Sequence, residues 1–201
     1  MTTELFKRIK EKHGKYASWA VWADAGSTPK SNVDDLSIFD IEKNPQILEK
    51  LNQNIILVGL NCADSPLGKE AFSNFHPKSS TANDFKIRYA FKGTEYWGAY
   101  MTDIIKGCHI TEQEKLEKYL KEHPEVVTKN IEIFKQELLD IESKEPLLIA
   151  FGGDVYDLLK NHGFVNAYKI THYSYHYEGM SDKDAYRMKV LEQLRDVPKK
   201  P

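Results

Sequence analysis

Several apolar runs in this 201-residue chain end in residues able to do chemistry. Ile55-Ile56-Leu57-Val58 runs into Gly59-Leu60-Asn61. A glycine there lets backbone approach a ligand closely, and an asparagine carries both a donor and an acceptor. Thr102 and Asp103 lie near the end of Gly98–Ile105, and His172 and Ser174 close the run from Ala167, with His176 just beyond. Gly152-Gly153 follows Leu147–Phe151 and offers no side chain, only backbone N–H groups suited to an anion at a helix start. His172 and His176 have a spacing that serves a metal mainly on a helix, and Tyr173, Ser174 and Gly179 argue against one there. No metal or cofactor is expected. Cys62 reads as a small buried residue.

The elements that must position these groups follow from periodicity. Thr3 to His13 reads as a short helix, with Thr3 as its cap and Gly14 to end it. Tyr16–Ala23 is rich in aromatic and small residues and suggests a strand or an extended buried segment. Asn44-Pro45 should start a helix. Ile55–Leu60 fits a central strand buried on both faces. Between Asn61 and Trp97 lies a long stretch without clear periodicity but rich in aromatics, read as a lid or pocket wall, with part of Lys86–Phe91 helical. A second strand is expected over Gly98–Ile105, a third over Leu147–Phe151 and a fourth over Ala167–Tyr173. Thr111–Glu114 and Ser181–Asp184 look like capping boxes opening helices, and Pro124 starts another. Strands alternating with helices imply parallel pairing. The reading is one domain over residues 1–201, a three-layer α/β/α sandwich with a short, mainly parallel sheet. In such a sheet, ligands bind at the carboxyl ends of the strands.

Composition narrows the class. Hydrophobic residues make up 41% and charged residues 29%, as in a soluble globular protein. No apolar run approaches the ~20 residues of a membrane span. A chain this long with only Cys62 and Cys108 has no disulfide framework, which points to a reducing cytoplasm. A net charge of -2 gives no global attraction to nucleic acid. Any such binding must rest on a local basic face.

The ordered motifs resemble the uracil-DNA glycosylase superfamily, in particular its mismatch-specific and thymine-glycosylase branch. Gly59-Leu60-Asn61 is similar to the first motif of that family, Gly-apolar-Asn-Pro-Gly or -Ser. Phe75-His76-Pro77 resembles the Phe-x-His-Pro segment, and His172-Tyr173-Ser174 sits where a His-Pro-Ser-type motif belongs. The order of elements matches from Ile55 to Gly179. Cys62 and Tyr173 stand where the motifs carry proline, and Asp103 or Thr102 stands near the usual position of a base-reading asparagine.

The resemblance implies hydrolysis of the N-glycosidic bond of a uracil-type base flipped out of DNA. Asn61 would hold the attacking water, and His172 would donate a hydrogen bond to the base carbonyl as it gains charge. Phe75 would stack on the base. Gly59, Leu60, Thr102, Asp103, Ser174 and His176 would complete the binding site, with Lys78, Lys86, Arg88 and Lys92 near phosphates. DNA is the expected partner, with no membrane and a monomeric chain. Two other functions fit the same sequence, because fold does not fix function. One is binding of a nucleobase, nucleotide or nucleic acid without catalysis; the other is a different enzyme on the same fold.

Overall fold

The computed structural model describes residues 1–24, 35–62, 70–77, 79, 82–175 and 183–198. Among the described residues, five strands form one sheet: β1 (Ser18–Trp19), β2 (Asn52–Asn61), β3 (Ala99–Ile105), β4 (Leu147–Phe151) and β5 (Ala167–Ile170). Their order is β1-β3-β2-β4-β5, which puts β2 at the centre. It pairs in parallel with β3 and with β4, and β4 pairs in parallel with β5. Only the two-residue β1 is antiparallel, along β3. Of Tyr16–Ala23, expected as a strand or an extended buried segment, Ser18–Trp19 pairs as a strand and Ala17–Trp22 is buried; on the near side Tyr16 and Ala17 donate to the carbonyl of His13 instead of to the sheet.

Alternation along the strands sorts side chains between two layers. Ile56, Val58, Tyr100, Leu148 and Ala150 face one core with α1 (Thr3–His13), α3 (Gln113–Glu122), α4 (Pro124–Asp140) and α5 (Gly153–Asn161). Ile55, Leu57, Met101, Ile149 and Phe151 face the other, with α2 (Phe85–Phe91) and α6 (Lys183–Gln193). Ile56, Leu57 and Ile149 are fully buried. Each such side chain contributes roughly 1.5–3 kcal/mol relative to exposure. The result is the three-layer α/β/α arrangement, with β2 buried on both sides.

Several local expectations need correction. Thr2, not Thr3, caps α1: its Oγ1 accepts from Leu5 N at 3.1 Å. Residues 45–49 form a 3-10 turn rather than an α-helix, and Asn44 makes no side-chain cap there. Thr111 does not cap α3; the cap position is Glu112, again without a side-chain bond. β5 ends at Ile170, short of Tyr173. Ser181 lies outside the described residues.

Helix α2 has seven residues, too few to persist alone. Tertiary contacts hold it. Arg187 of α6 donates to the carbonyls of Tyr89 and Ala90 at 2.5 and 2.7 Å, at the end of α2. The hydroxyl of Tyr89 donates to Asp184 at 2.5 Å. The end of α2 is thereby fixed to α6.

Candidate functional site

The site is built around Gly59. Parallel register sets Gly59 beside Asp103, both on the α2/α6 face. A Cβ at residue 59 would lie 2.1 Å from Asp103 Oδ1 and 3.7 Å from Phe75 Cζ. Glycine is thus required by close approach: any side chain would displace the carboxylate. Asp103 is 4% exposed. Its Oδ2 accepts from Asn74 Nδ2 at 2.9 Å, and the same amide donates to the carbonyl of Tyr16 at 2.7 Å. Phe75 has φ +65°, the left-handed region that non-glycine residues seldom occupy. Such a conformation costs about 1–3 kcal/mol and persists only where surrounding structure imposes it. Here Phe72 N donates to Gly14 O at 2.7 Å, and Ser18 Oγ donates to Phe72 O at 2.8 Å. These bonds and Asn74 pin the turn, so the Phe75 ring reaches Gly59.

The segment after β5 follows a strand parallel to β4 and so leaves the sheet on the same edge. His172 Nδ1 accepts from Ser174 N at 3.1 Å. That bond leaves the ring proton of the neutral tautomer on Nε2. Burial lowers the pKa of the imidazole to about 4, so it is uncharged near neutral pH. The Tyr173 ring stacks on His172 at 4.3 Å between centroids and meets Phe151 edge-on at 5.2 Å. Burial, then the charges of Asp84 and Asp103, push the Tyr173 hydroxyl well above the ordinary phenol range.

Among the described residues, Asp103 and Asp84 bring carboxyls to this site. Burial raises Asp103 to about 6, against the hydrogen bond from Asn74 and the charge of Lys106, which hold it down. Burial also raises Asp84 to about 6. Asp84 sits at the start of α2 but makes no side-chain cap. Both carboxyls are therefore poised to change charge near neutral pH, a property that clusters at functional sites.

The residues expected from sequence fall into separate groups. Gly59, Phe75 and Asp103 meet directly. His172 stands at the same sheet edge, its Cβ 3.8 Å from where a side chain at Gly152 would begin. Asn61 ends β2, and its Nδ2 donates to the carbonyls of Cys108 and Ile110 at 3.2 and 3.0 Å. Both amide N–H groups are thus committed to the loop after β3, which leaves Oδ1 as the atom available to a ligand. Thr102 is not part of this group. It is fully buried on the α4 face, where its hydroxyl donates to Glu137 at 2.9 Å. Adjacent strand residues point to opposite faces, so Thr102 and Asp103 cannot both line one pocket from the same side. Leu60 likewise packs against the α4-side core, leaving only its backbone near Gly59. Ser174 is exposed and acts through its backbone N–H on His172. His176 and Lys78 lie outside the described residues. Gly152 has φ +98° and leads into α5 without a side-chain cap.

Asn74, Asp84 and Tyr173 belong to the site without having been expected there. Asn74 and Asp84 sit in a stretch with no periodicity, where either type reads equally well as a turn residue. Tyr173 stood out only as a replacement for proline. Among the described residues, no group of three His, Cys, Asp or Glu could hold a metal ion. Comparison of the chain with protein-family models, curated proteins and solved structures finds no match.

Proposed function

We propose that this protein hydrolyses the N-glycosidic bond of a uracil-type base swung out of a DNA strand. The observation that carries the reading is His172: a neutral imidazole, its proton fixed on Nε2, at the sheet edge where Gly59, Asp103 and Phe75 converge. Cleavage of this bond builds positive charge on the sugar and negative charge on the departing base. A neutral imidazole suits the second task. It donates a hydrogen bond to the base carbonyl as charge arrives, without the ionic attraction that would also tighten the ground state.

The remaining groups take complementary roles. Asn61 Oδ1, its carboxamide held by two carbonyls, would accept from the attacking water. The ring of Phe75 would lie against the base, and Asp103 would contact its polar edge. Asp103 in its ionised form favours positive charge on the sugar as well. Glycine at 59 leaves the space that the Asp103 carboxylate itself fills, and so keeps that group at the strand ends. A base must leave the duplex to enter such a site, which costs a few kcal/mol of unstacking.

The test is incubation with single- and double-stranded uracil-containing DNA, scored for free base and abasic sites, with Asn61→Ala and His172→Ala as controls. Release by the wild type and strong loss in both variants is the expected result. A folded wild type that releases no base from either substrate refutes the catalytic reading. Binding of the same DNA without release would then mark a binding protein.

A further inference from the structure

Behind Asp103, on the other face of the sheet, lies a buried ion pair that the proposed chemistry does not use. Glu137 of α4 has no exposed surface. Its Oε1 accepts from Tyr100 Oη at 2.7 Å and Thr102 Oγ1 at 2.9 Å, and its Oε2 accepts from Lys106 Nζ at 2.6 Å. Lys106 Nζ also donates to the backbone carbonyl of Asp103 at 2.7 Å. Asn130, one α4 turn-pair earlier, accepts from Lys106 N at 2.8 Å and donates to Val126 O at 2.9 Å. One helix thus grips Tyr100 and Thr102 of β3 and Lys106 just after it, the stretch that brackets Asp103.

Such a pair is a costly way to hold a strand. Desolvating two charges offsets most of their attraction, and apolar replacements of similar volume are often no worse for stability. What an apolar pair could not supply is a fixed charge beside Asp103. We propose that Lys106 and Glu137 are positioning residues for Asp103: they fix the end of β3 and hold a cation and an anion behind its carboxyl.

The groups around Asp103 allow this to be separated from the rest. Asn74 bonds it from the 72–76 turn, Asp84 faces it from the start of α2, and Tyr173 from beyond β5. Lys106 and Glu137 act from the α4 side. The cation favours the carboxylate and Glu137 disfavours it. The role assigned to Asp103 in base release rests on the function proposed above; the coupling itself does not.

The experiment is a titration of Asp103 by carbon NMR in the full chain with labelled aspartate, assigned through Asp103→Asn, for wild type, Lys106→Met and Glu137→Gln. Lys106→Met should raise the midpoint by about one pH unit, the lower end of what a neighbouring charge does. Glu137→Gln should lower it. Opposite movements are the signature, because loosening of the strand alone would move both variants the same way. If Lys106→Met fails to fold, the double variant Lys106→Met/Glu137→Gln leaves no unpaired charge and should show a smaller upward shift. Midpoints that do not move, or move together, overturn the proposal. Base release followed across pH gives the second readout: its profile should shift with the midpoint in each variant, and a profile indifferent to these shifts also overturns the positioning role. A wild type that releases no base defeats the function proposed above, while the titration still decides the coupling.

Discussion

The two faces of β3 handle buried polar groups in opposite ways. On the α4 face, Glu137 accepts from Tyr100, Thr102 and Lys106, so each buried charge has partners. On the α2/α6 face, Asp103 Oδ2 accepts from Asn74, and its other oxygen lies over Gly59. Nearby, Asp84 makes no cap bond, and both carboxyls are raised by burial to about 6. His172, at the same edge, is held neutral by burial. One residue step along a strand separates the groups: Thr102 belongs to the first face and Asp103 to the second. A satisfied network rigidifies, whereas desolvated ionisable groups cost stability.

If that contrast is right, mutations on the two faces should fail differently. The largest effect on stability is expected from Glu137→Ala, which strands a buried cation and two hydroxyls. Urea unfolding should show a loss of about 3–5 kcal/mol, and a loss below 1 kcal/mol would remove the contrast. His172→Ala should do the reverse. Single-turnover base release should fall by a factor of ~10²–10³, with substrate affinity nearly unchanged. A variant that releases base as fast as wild type would make the histidine structural.

Gly59→Ala tests the close approach itself. The added methyl must displace Asp103 or the strand, so stability should drop by about 1–3 kcal/mol, together with base release. A fully active alanine variant would mean that the carboxylate can move aside without consequence.

Asp103→Asn sharpens the comparison through pH. The carboxyl has a folded-state pKa of about 6 against an ordinary value of 3.8. A raised pKa contributes stability that is complete below the unfolded value and is lost as pH rises through the folded one. The asparagine variant avoids that loss. It should exceed the wild type at pH 7 by on the order of 1–3 kcal/mol and converge with it near pH 4. Denaturant midpoints at the two pH values decide this. His172 has the opposite sign: lowered to about 4 from 6.5, it contributes stability above the higher value that is lost as pH falls through the lower. Acid unfolding of His172→Ala should therefore be less steep between those limits.

Much of the architecture could be read from residue order. Ile55–Val58 is apolar at every position, which only a strand covered on both sides tolerates, and β2 is indeed central. The strand-end rule pointed to Asn61, Asp103 and His172, which lie at or beyond the ends of strands that run parallel. Face assignment was harder. Thr102 and Asp103 look interchangeable as polar neighbours, and only register against Val58 and Gly59 tells which side each takes.

The sequence by itself determined the alternation of strands and helices, because hydrophobic period and punctuation are local properties. It also determined which strand ends carry polar residues. The tertiary structure decided which of those groups meet. Asn74 reaches Asp103 across 29 residues of chain, and Lys106 reaches Glu137 across 31. Neither separation leaves a trace in periodicity. Burial was decided there too: Asp103 is an ordinary aspartate in sequence and a carboxyl near 6 only once the turn at Phe75, helix α2 and the strand ends exclude water from it.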